Sequence, residues 1–376
     1  MKSWLVAVVL SVVAAVAQQP RQNFVINVGT PEGQLLQQIG QELDDAKKQM
    51  LMEDFLNKYP KHEGASWVAA MLESTYNDAK EYDKTLDVAE KIYPNSPDME
   101  VAWAALKAAE GKEDIALVKK WSARTSEAAR KVVASMKAPA NDDDKQQLSH
   151  AKDVDAYSEY ALYVLALKLK EPKDTIDLIE TLEHQNPKSQ YLPVAADSYF
   201  EALDKAGEGA KTCPAATRMA GADPKNAEAM LVAAQCSWTG NKADGVVSYG
   251  SKAAAALNSR TKLEGVTDSD WAAAKQSMLG RANFYVGQGY TMEGRWGPAN
   301  KSLRAALGSI KGNEQFYAIA LFDLGLANYQ LGHSIGDKAQ MREGLKYFEQ
   351  SAGMKSSVQD QAARNASLVR NELGGK

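Results

Sequence analysis

The sequence contains few of the residues that usually carry out catalysis or hold metal ions. Its four histidines, His62, His150, His184 and His333, are far apart, and none stands in the H-E-x-x-H spacing that brings two imidazoles to one zinc ion. It contains neither the G-x-x-x-x-G-K-[ST] loop that cradles phosphates nor the G-x-S-x-G turn that presents a nucleophilic serine. We therefore expect a chain that is not an enzyme and that carries no metal and no cofactor.

A run of acids at Asp142–Asp144 is the one stretch that could suggest a cation site. A calcium loop needs acidic residues at alternating positions followed by glycine, whereas these three aspartates are consecutive and no glycine follows. Carboxylates are favourable in the first turn of a helix, where they face the positive end of its dipole. The run therefore predicts the acidic start of a helix near Asp144.

The two cysteines, Cys213 and Cys236, could pair or could remain thiols. They lie 23 residues apart, and a bridge closing such a loop would stabilise the fold by about 3 kcal/mol. Buried thiols that act as small apolar side chains are the alternative. The sequence leaves both possibilities open.

The charge balance excludes one class of partner. Forty-four Lys and Arg stand against forty-eight Asp and Glu, a net charge of −4. A protein that binds nucleic acid through electrostatic attraction needs a basic face. We therefore expect no nucleic-acid partner.

The first seventeen residues are typical of a cleavable secretory signal. Met1-Lys2 is followed by the uncharged apolar run Trp4–Ala17, which ends in the small-x-small triplet Ala15-Val16-Ala17. As a helix, this run would rise only about 21 Å, less than the hydrocarbon thickness of ~30 Å that a membrane anchor must cross. No later segment reaches 18 uncharged apolar residues. We predict a periplasmic or secreted protein without a transmembrane segment.

The rest of the chain, rich in the good helix former alanine, repeats one spacing of residues. Small or apolar residues, closed by a proline, follow each other at steps of four, three and five positions in three stretches, and a fourth stretch has the same first two steps. The four sets are Thr85, Ala89, Ile92 and Pro97; Thr175, Ile179, Leu182 and Pro187; Thr212, Ala216, Met219 and Pro224; and Ala299, Leu303 and Ala306.

This pattern resembles the tetratricopeptide repeat, a pair of antiparallel helices of about 34 residues. The resemblance rests on small residues where helices would cross (Gly287, Gly325), turn glycines (Gly240, Gly294, Gly332) and closing prolines (Pro97, Pro187, Pro224). It implies an all-α fold, an α-solenoid of stacked antiparallel hairpins wound into a right-handed superhelix. Another helical solenoid or an irregular bundle is the alternative.

We expect four segments along the chain. They are a signal peptide (1–17), a flexible N-terminal arm (18–33), a repeat array (34–355) and a C-terminal capping helix (356–376). Insertions are expected near 137–152, 253–270 and 333–342. In the second of these, Asp268–Asp270 should cap a long helix that runs from about Trp271 to Glu293.

The resemblance places several aromatic side chains on a concave groove, where a peptide or protein would bind. Aromatics at helical spacing also fill cores, so both roles stay open for them. Asp197, Glu201 and Asp204 form an acidic stripe at i, i+4 and i+7 that would favour a basic partner. The expected function is a non-catalytic protein-interaction scaffold in the cell envelope; a small-ligand or glycan binder is the alternative. The candidate groove residues are Trp67, Tyr157, Tyr160, Asp197, Glu201, Trp238, Phe284, Phe322 and Tyr329.

Overall fold

The computed structural model of the protein describes residues 24–136, 138–262 and 266–374. The expected signal peptide, and residues 18–23 of the expected arm, lie outside this range. Within it the chain forms seventeen α-helices and one short 3₁₀ turn, with no strand. The chain divides into two compact units, residues 24–207 and 208–374. The all-α prediction is confirmed.

The first unit contains nine helices. Thr30 caps the first of them, accepting a hydrogen bond from the Gly33 amide, and Pro31 supplies its first residue; this helix therefore begins inside the segment expected to be an arm. The helices are α1 Pro31–Gln41, α2 Asp45–Lys58, α3 Ala65–Asp78, α4 Tyr82–Ile92, α5 Met99–Lys112, α6 Ile115–Ser135, α7 Asp142–Lys168, α8 Pro172–Gln185 and α9 Tyr191–Lys205.

The second unit contains eight helices after the 3₁₀ turn Gly209–Lys211. The last of them is the amphipathic helix expected at the C-terminus, and it buries Ala362, Ala366 and Val369. The helices are α10 Thr212–Ala222, α11 Ala227–Thr239, α12 Ala243–Ser259, α13 Asp268–Met292, α14 Trp296–Ile310, α15 Glu314–Ile335, α16 Lys338–Ala352 and α17 Gln359–Glu372.

Each unit is a stack of helical hairpins. Consecutive helices within a unit pack against each other, and in the first unit α3 also contacts α5, α5 contacts α7, and α7 contacts α9. The same holds from α11 to α17 in the second unit. Among the even-numbered helices, only α6 and α8 have more than a marginal contact. The odd-numbered helices therefore form one closely packed layer in each unit.

Glycine allows the helices to approach closely where the sequence predicted crossings. A Cβ at Gly287 would lie 2.5 Å from Leu303 Cγ, and a Cβ at Gly325 would lie 2.6 Å from Phe348 Cδ1. Gly344 faces Gly325 across the same hairpin, since its Cβ would meet the Gly325 carbonyl oxygen at 2.9 Å. The predicted crossing residues are confirmed.

Two of the three predicted turn glycines, Gly240 and Gly294, lie in turns, and one of them has the left-handed backbone expected there. Gly294 adopts a left-handed φ of 68°, as expected for a residue that ends a helix. After α11 it is Asn241, with φ 54°, that takes this conformation, whereas Gly240 has φ −83°. Gly332 is wrong as a turn: it lies inside α15, which continues to Ile335 and ends at Gly336 with φ 70°.

The expected insertions are mostly longer helices. The helix predicted near Asp144 begins at Asp142, and its cap is Asn141, whose side chain accepts from the Asp144 amide. The long helix after residue 260 is capped by Thr267 rather than by the aspartates and runs for 25 residues, Asp268–Met292. Residues 333–342 contain the end of α15 and the start of α16, separated by one short turn.

Cys213 and Cys236 form a disulfide, which answers the question that the sequence left open. Cys213 lies in the first turn of α10 and Cys236 in the last turn of α11, with Cα atoms 5.7 Å apart. The bridge joins two antiparallel neighbours of the second unit.

None of the helices among the described residues is long and apolar enough to cross a membrane.

Candidate functional site

In the unit of residues 24–207, the odd-numbered helices carry a continuous polar and aromatic stripe. On each helix the exposed or half-buried side chains recur at steps of three or four, the spacing of one helical face. We call this surface the odd-helix face. Its members are Trp67, Met71, Ser74 and Asp78 on α3; Glu100, Trp103, Lys107 and Glu110 on α5; His150, Asp153, Tyr157, Tyr160 and Val164 on α7; and Val194, Asp197, Glu201 and Asp204 on α9.

Helix α5 lies at the centre of this surface. Asp98 caps it, accepting hydrogen bonds from the amides of Glu100 and Val101 at 2.9 and 3.2 Å. Alanines such as Ala105 and Ala109 are completely buried on its opposite side, so that neighbouring helices fit closely against it. Its four polar and aromatic members of the odd-helix face are consequently held on a rigid element.

A row of aromatic rings crosses three helices of this face. The ring centroids of Trp103 and Tyr157 are 6.0 Å apart, those of Tyr157 and Tyr160 are 6.0 Å apart, and those of Tyr160 and Tyr191 are 5.8 Å apart. Tyr157 and Tyr160 were predicted as groove residues, and they lie together, half-buried, on α7. Rings fixed by such edge-on and tilted packing present a preorganised contact surface.

Lys107 is the one cation of the α3 and α5 stripes. Its Nζ stands 4.0 Å from the centroid of the Trp103 ring, a cation–π distance. Burial lowers the pKa of Lys107, although Glu100, Asp78, Glu73 and Glu110 all act on it in the opposite direction. The ammonium group is thus surrounded by carboxyl groups without forming an ion pair with any of them.

The burial of Glu73 on α3 is unfavourable for the stability of the fold. The side chain is completely buried, and neither of its carboxyl oxygens has a hydrogen-bond partner. Burial raises the pKa of Glu73 well above its usual value; Asp98 adds to the shift, and Lys107 opposes it. An isolated charge is very unfavourable in such surroundings, which is why burial favours the protonated form of this carboxyl group.

Two further acids of α5 bond to α7. The Tyr157 hydroxyl donates to Glu110 Oε2 at 2.6 Å, and burial raises the pKa of Glu110 despite this bond. His150 Nε2 lies 2.7 Å from Glu100 Oε1, and this hydrogen bond raises the pKa of His150. These contacts fix α7 against α5.

The predicted acidic stripe on α9 is exposed. Glu201 pairs with Lys205 one turn away at 2.7 Å, whereas Asp197 and Asp204 form no ion pair with any described residue. By contrast, Glu90 and Asp177 on the even-numbered helices both pair with lysines of α6. The odd-helix face thus keeps carboxylates that no cation of the described chain neutralises.

Trp67, the remaining predicted residue of this unit, is half-buried on α3, the helix at one end of the odd-helix face. Its ring packs edge-on against Phe24, with centroids 5.8 Å apart. The N-terminal residues just before α1 therefore contribute to its surroundings.

In the second unit, two of the candidate groove residues are buried in the core. Phe284 is completely buried and stacks on Phe316 with centroids 4.7 Å apart, while Phe322 is buried against Phe348 and the C-terminal helix. Both rings fill space between hairpins and present nothing to a ligand. The physical reason is that each ring lies on a side of its helix that packs against a neighbouring ring, Phe284 on Phe316 and Phe322 on Phe348.

Trp238 and Tyr329 keep partial exposure in the same unit. Trp238 packs edge-on against Phe284 and Phe316. The Tyr329 hydroxyl donates to Glu372 Oε2 at 2.8 Å, which ties α15 to the C-terminal helix. These contacts are structural, and they do not bring the two rings together.

One buried acid of this unit resembles Glu73 but has a partner. Asp323 of α15 accepts a hydrogen bond from Gln288 Nε2 of α13. Burial raises the pKa of Asp323 to about 7. The pair connects two odd-numbered helices inside the unit.

The sequence did not single out Glu73, Trp103, Lys107 or Glu110. A signal was present, because Glu100, Trp103, Lys107 and Glu110 follow one helical face. The described residues contain no group of three or more His, Cys, Asp or Glu side chains that could hold a metal ion. No protein-family model matches the chain, and no curated protein does.

Proposed function

We propose that this chain is a non-catalytic protein-binding scaffold of the tetratricopeptide type, and that its partner binds on the odd-helix face. The observation that carries the proposal is the aromatic row of Trp103, Tyr157 and Tyr160. It shares the odd-helix face with the exposed carboxylates of Asp153, Asp197 and Asp204, which form no ion pair within the described chain. Rigid aromatic rings are common anchors of binding energy, and unpaired surface acids direct the choice of partner.

The dimensions of the face suit a peptide. Helix axes in contact lie about 8–10 Å apart, so the four helices α3, α5, α7 and α9 span roughly 24–30 Å. An extended chain rises about 3.3 Å per residue and would cross this distance with eight or nine residues. A segment of that length can contact each helix once or twice.

We also propose that the protein works in an oxidising compartment, the periplasm or the exterior of the cell. The disulfide between Cys213 and Cys236 supports this, because such bridges persist mainly outside the reducing cytosol. The apolar run Trp4–Ala17 supplies the matching secretory address.

Photocrosslinking in cells tests the binding proposal. A photoreactive amino acid replaces Val164, half-buried on the odd-helix face of α7, and in a matched strain it replaces Val88, half-buried on the even-numbered helix α4. We expect discrete protein adducts from position 164 and none from position 88. Equal adducts from both positions, or none from position 164, would contradict the proposal.

A further inference from the structure

We propose that the segment bound by the odd-helix face is basic, and that one of its Arg or Lys side chains takes the place that Lys107 occupies against Trp103. This inference rests on the proposed function and specifies the chemistry of the partner. Lys107 is then an internal competitor, which a cationic side chain of the partner displaces.

The surroundings of Lys107 are those of a cation site. Its ammonium lies on the face of Trp103, the aromatic ring that attracts cations best. Four carboxyl groups, those of Glu73, Asp78, Glu100 and Glu110, attract it, yet no described oxygen comes within ion-pair distance. The site therefore favours positive charge while holding its own cation by few direct bonds.

Polar atoms next to Lys107 are left without partners. Both oxygens of the completely buried Glu73 accept no hydrogen bond. Buried polar atoms are almost always satisfied in folded proteins. A guanidinium group carries five N–H donors and bonds to carboxylates in pairs, so it would satisfy acceptors that a single lysine leaves open.

Acidic side chains also outnumber basic ones on the parts of the odd-helix face that α7 and α9 form. Asp153 on α7 and Asp197 and Asp204 on α9 are exposed and unpaired within the described chain. Helix α3 contains no Lys or Arg at all. A partner with several basic residues would find complementary charge on α3, α5, α7 and α9, whereas an acidic segment would be repelled by these carboxylates.

The test begins with a selection of random 12-residue peptides displayed on phage, using the purified chain as bait. We expect Arg and Lys to be enriched at least twofold over the library. A selected peptide is then synthesised with a fluorescent label, and its affinity is measured by anisotropy. Replacing its Arg residues by citrulline, which keeps the shape and removes the charge, should weaken binding at least tenfold.

The decisive variant is Lys107→Met, which keeps the apolar stem and removes the ammonium. If Lys107 competes with the peptide, K107M binds the basic peptide about three- to tenfold more tightly, since a like charge at close range is removed. Lys112→Met is the matched control: this lysine is on the same helix but pairs with Asp83 of α4, and its loss should leave affinity unchanged. Melting temperatures show whether both variants are folded.

Weaker binding by K107M, or selection of neutral or acidic peptides, would overturn the inference. The two proposals can fail separately. Crosslinks from position 164 to a neutral or acidic segment would leave the scaffold in place and refute the basic partner. Basic peptides that bind more tightly to K107M, together with no crosslink from position 164, would refute the scaffold and keep the cation site.

Discussion

At the scale of single residues, Glu73 on α3 is a group that stability alone does not favour. A buried carboxyl without a partner costs free energy in either protonation state. An apolar side chain at position 73 would match the other buried residues of α3, such as Leu72 and Val68. Glu73 therefore lowers the stability of the unit, as groups at binding sites often do.

Glu73 makes stability depend on pH in a defined direction. Its folded-state pKa is raised, so the folded chain holds a proton that the unfolded chain releases above about pH 4.3. The free energy of unfolding must then fall as pH rises from that value through the folded-state pKa. Glu73→Gln mimics the protonated form, so its free energy of unfolding should not show this fall. We therefore expect the stability of the variant relative to the original chain to be higher at pH 8 than at pH 5. Urea unfolding at both pH values measures the difference; an unchanged difference would refute the assignment.

Asp323 provides the same test in the second unit. The pKa of Asp323, about 7, lies roughly three units above the unfolded value. The protonated side chain therefore contributes fully to stability below about pH 4, and this contribution is lost as pH rises to about 7. The loss is up to about 4 kcal/mol. We expect Asp323→Asn to remove most of this dependence while keeping a side chain that can bond to Gln288. Thermal unfolding between pH 4 and 8 measures it, and a parallel loss in variant and original chain would contradict the prediction.

At the scale of elements, helix crossings are set by side-chain size and could be predicted from the sequence. Gly287 and Gly325 were recognisable because each precedes a second helix at a repeated spacing. Caps and turns were less predictable, since Asn241 and Gly240 are neighbours that can both end a helix, and Gly332 and Gly336 compete for one role. The fold of the hairpins then decides which residue adopts the left-handed conformation.

Two glycine substitutions separate packing from helix propensity. Gly287→Ala would place a methyl group 2.5 Å from Leu303 Cγ, and we expect it to destabilise the chain by about 1–3 kcal/mol. Gly308→Ala in α14 meets no atom within 4 Å, and we expect it to stabilise by roughly 0.5–1 kcal/mol because alanine favours the helix. Denaturant unfolding of both variants checks the sign. Equal effects would show that close approach does not matter at Gly287.

At the scale of the whole molecule, the sequence predicted stacked hairpins but not their division into two units. Periodicity reports which face of a helix is buried, and it contains no information on where one compact unit ends and the next begins. For the same reason the sequence could not tell Tyr157 and Tyr160, which are half-buried on the odd-helix face, from Phe284 and Phe322, which are buried. All four have helical spacing, and only the number of packed neighbours distinguishes a core ring from a surface ring.

The disulfide connects the fold to the compartment in which the whole chain is expected to work. A bridge closing 23 residues contributes about 3 kcal/mol if it restricts the unfolded chain, so Cys213→Ser with Cys236→Ser should lower the stability of the second unit by about that amount. In chain isolated from cells, iodoacetamide should modify neither cysteine until a reductant is added, whereas chain made in the cytosol without residues 1–17 should be modified at both. Mass spectrometry distinguishes the two states. Free thiols in the exported chain would contradict both the bridge and the oxidising compartment, because neither cysteine has another role in the described structure.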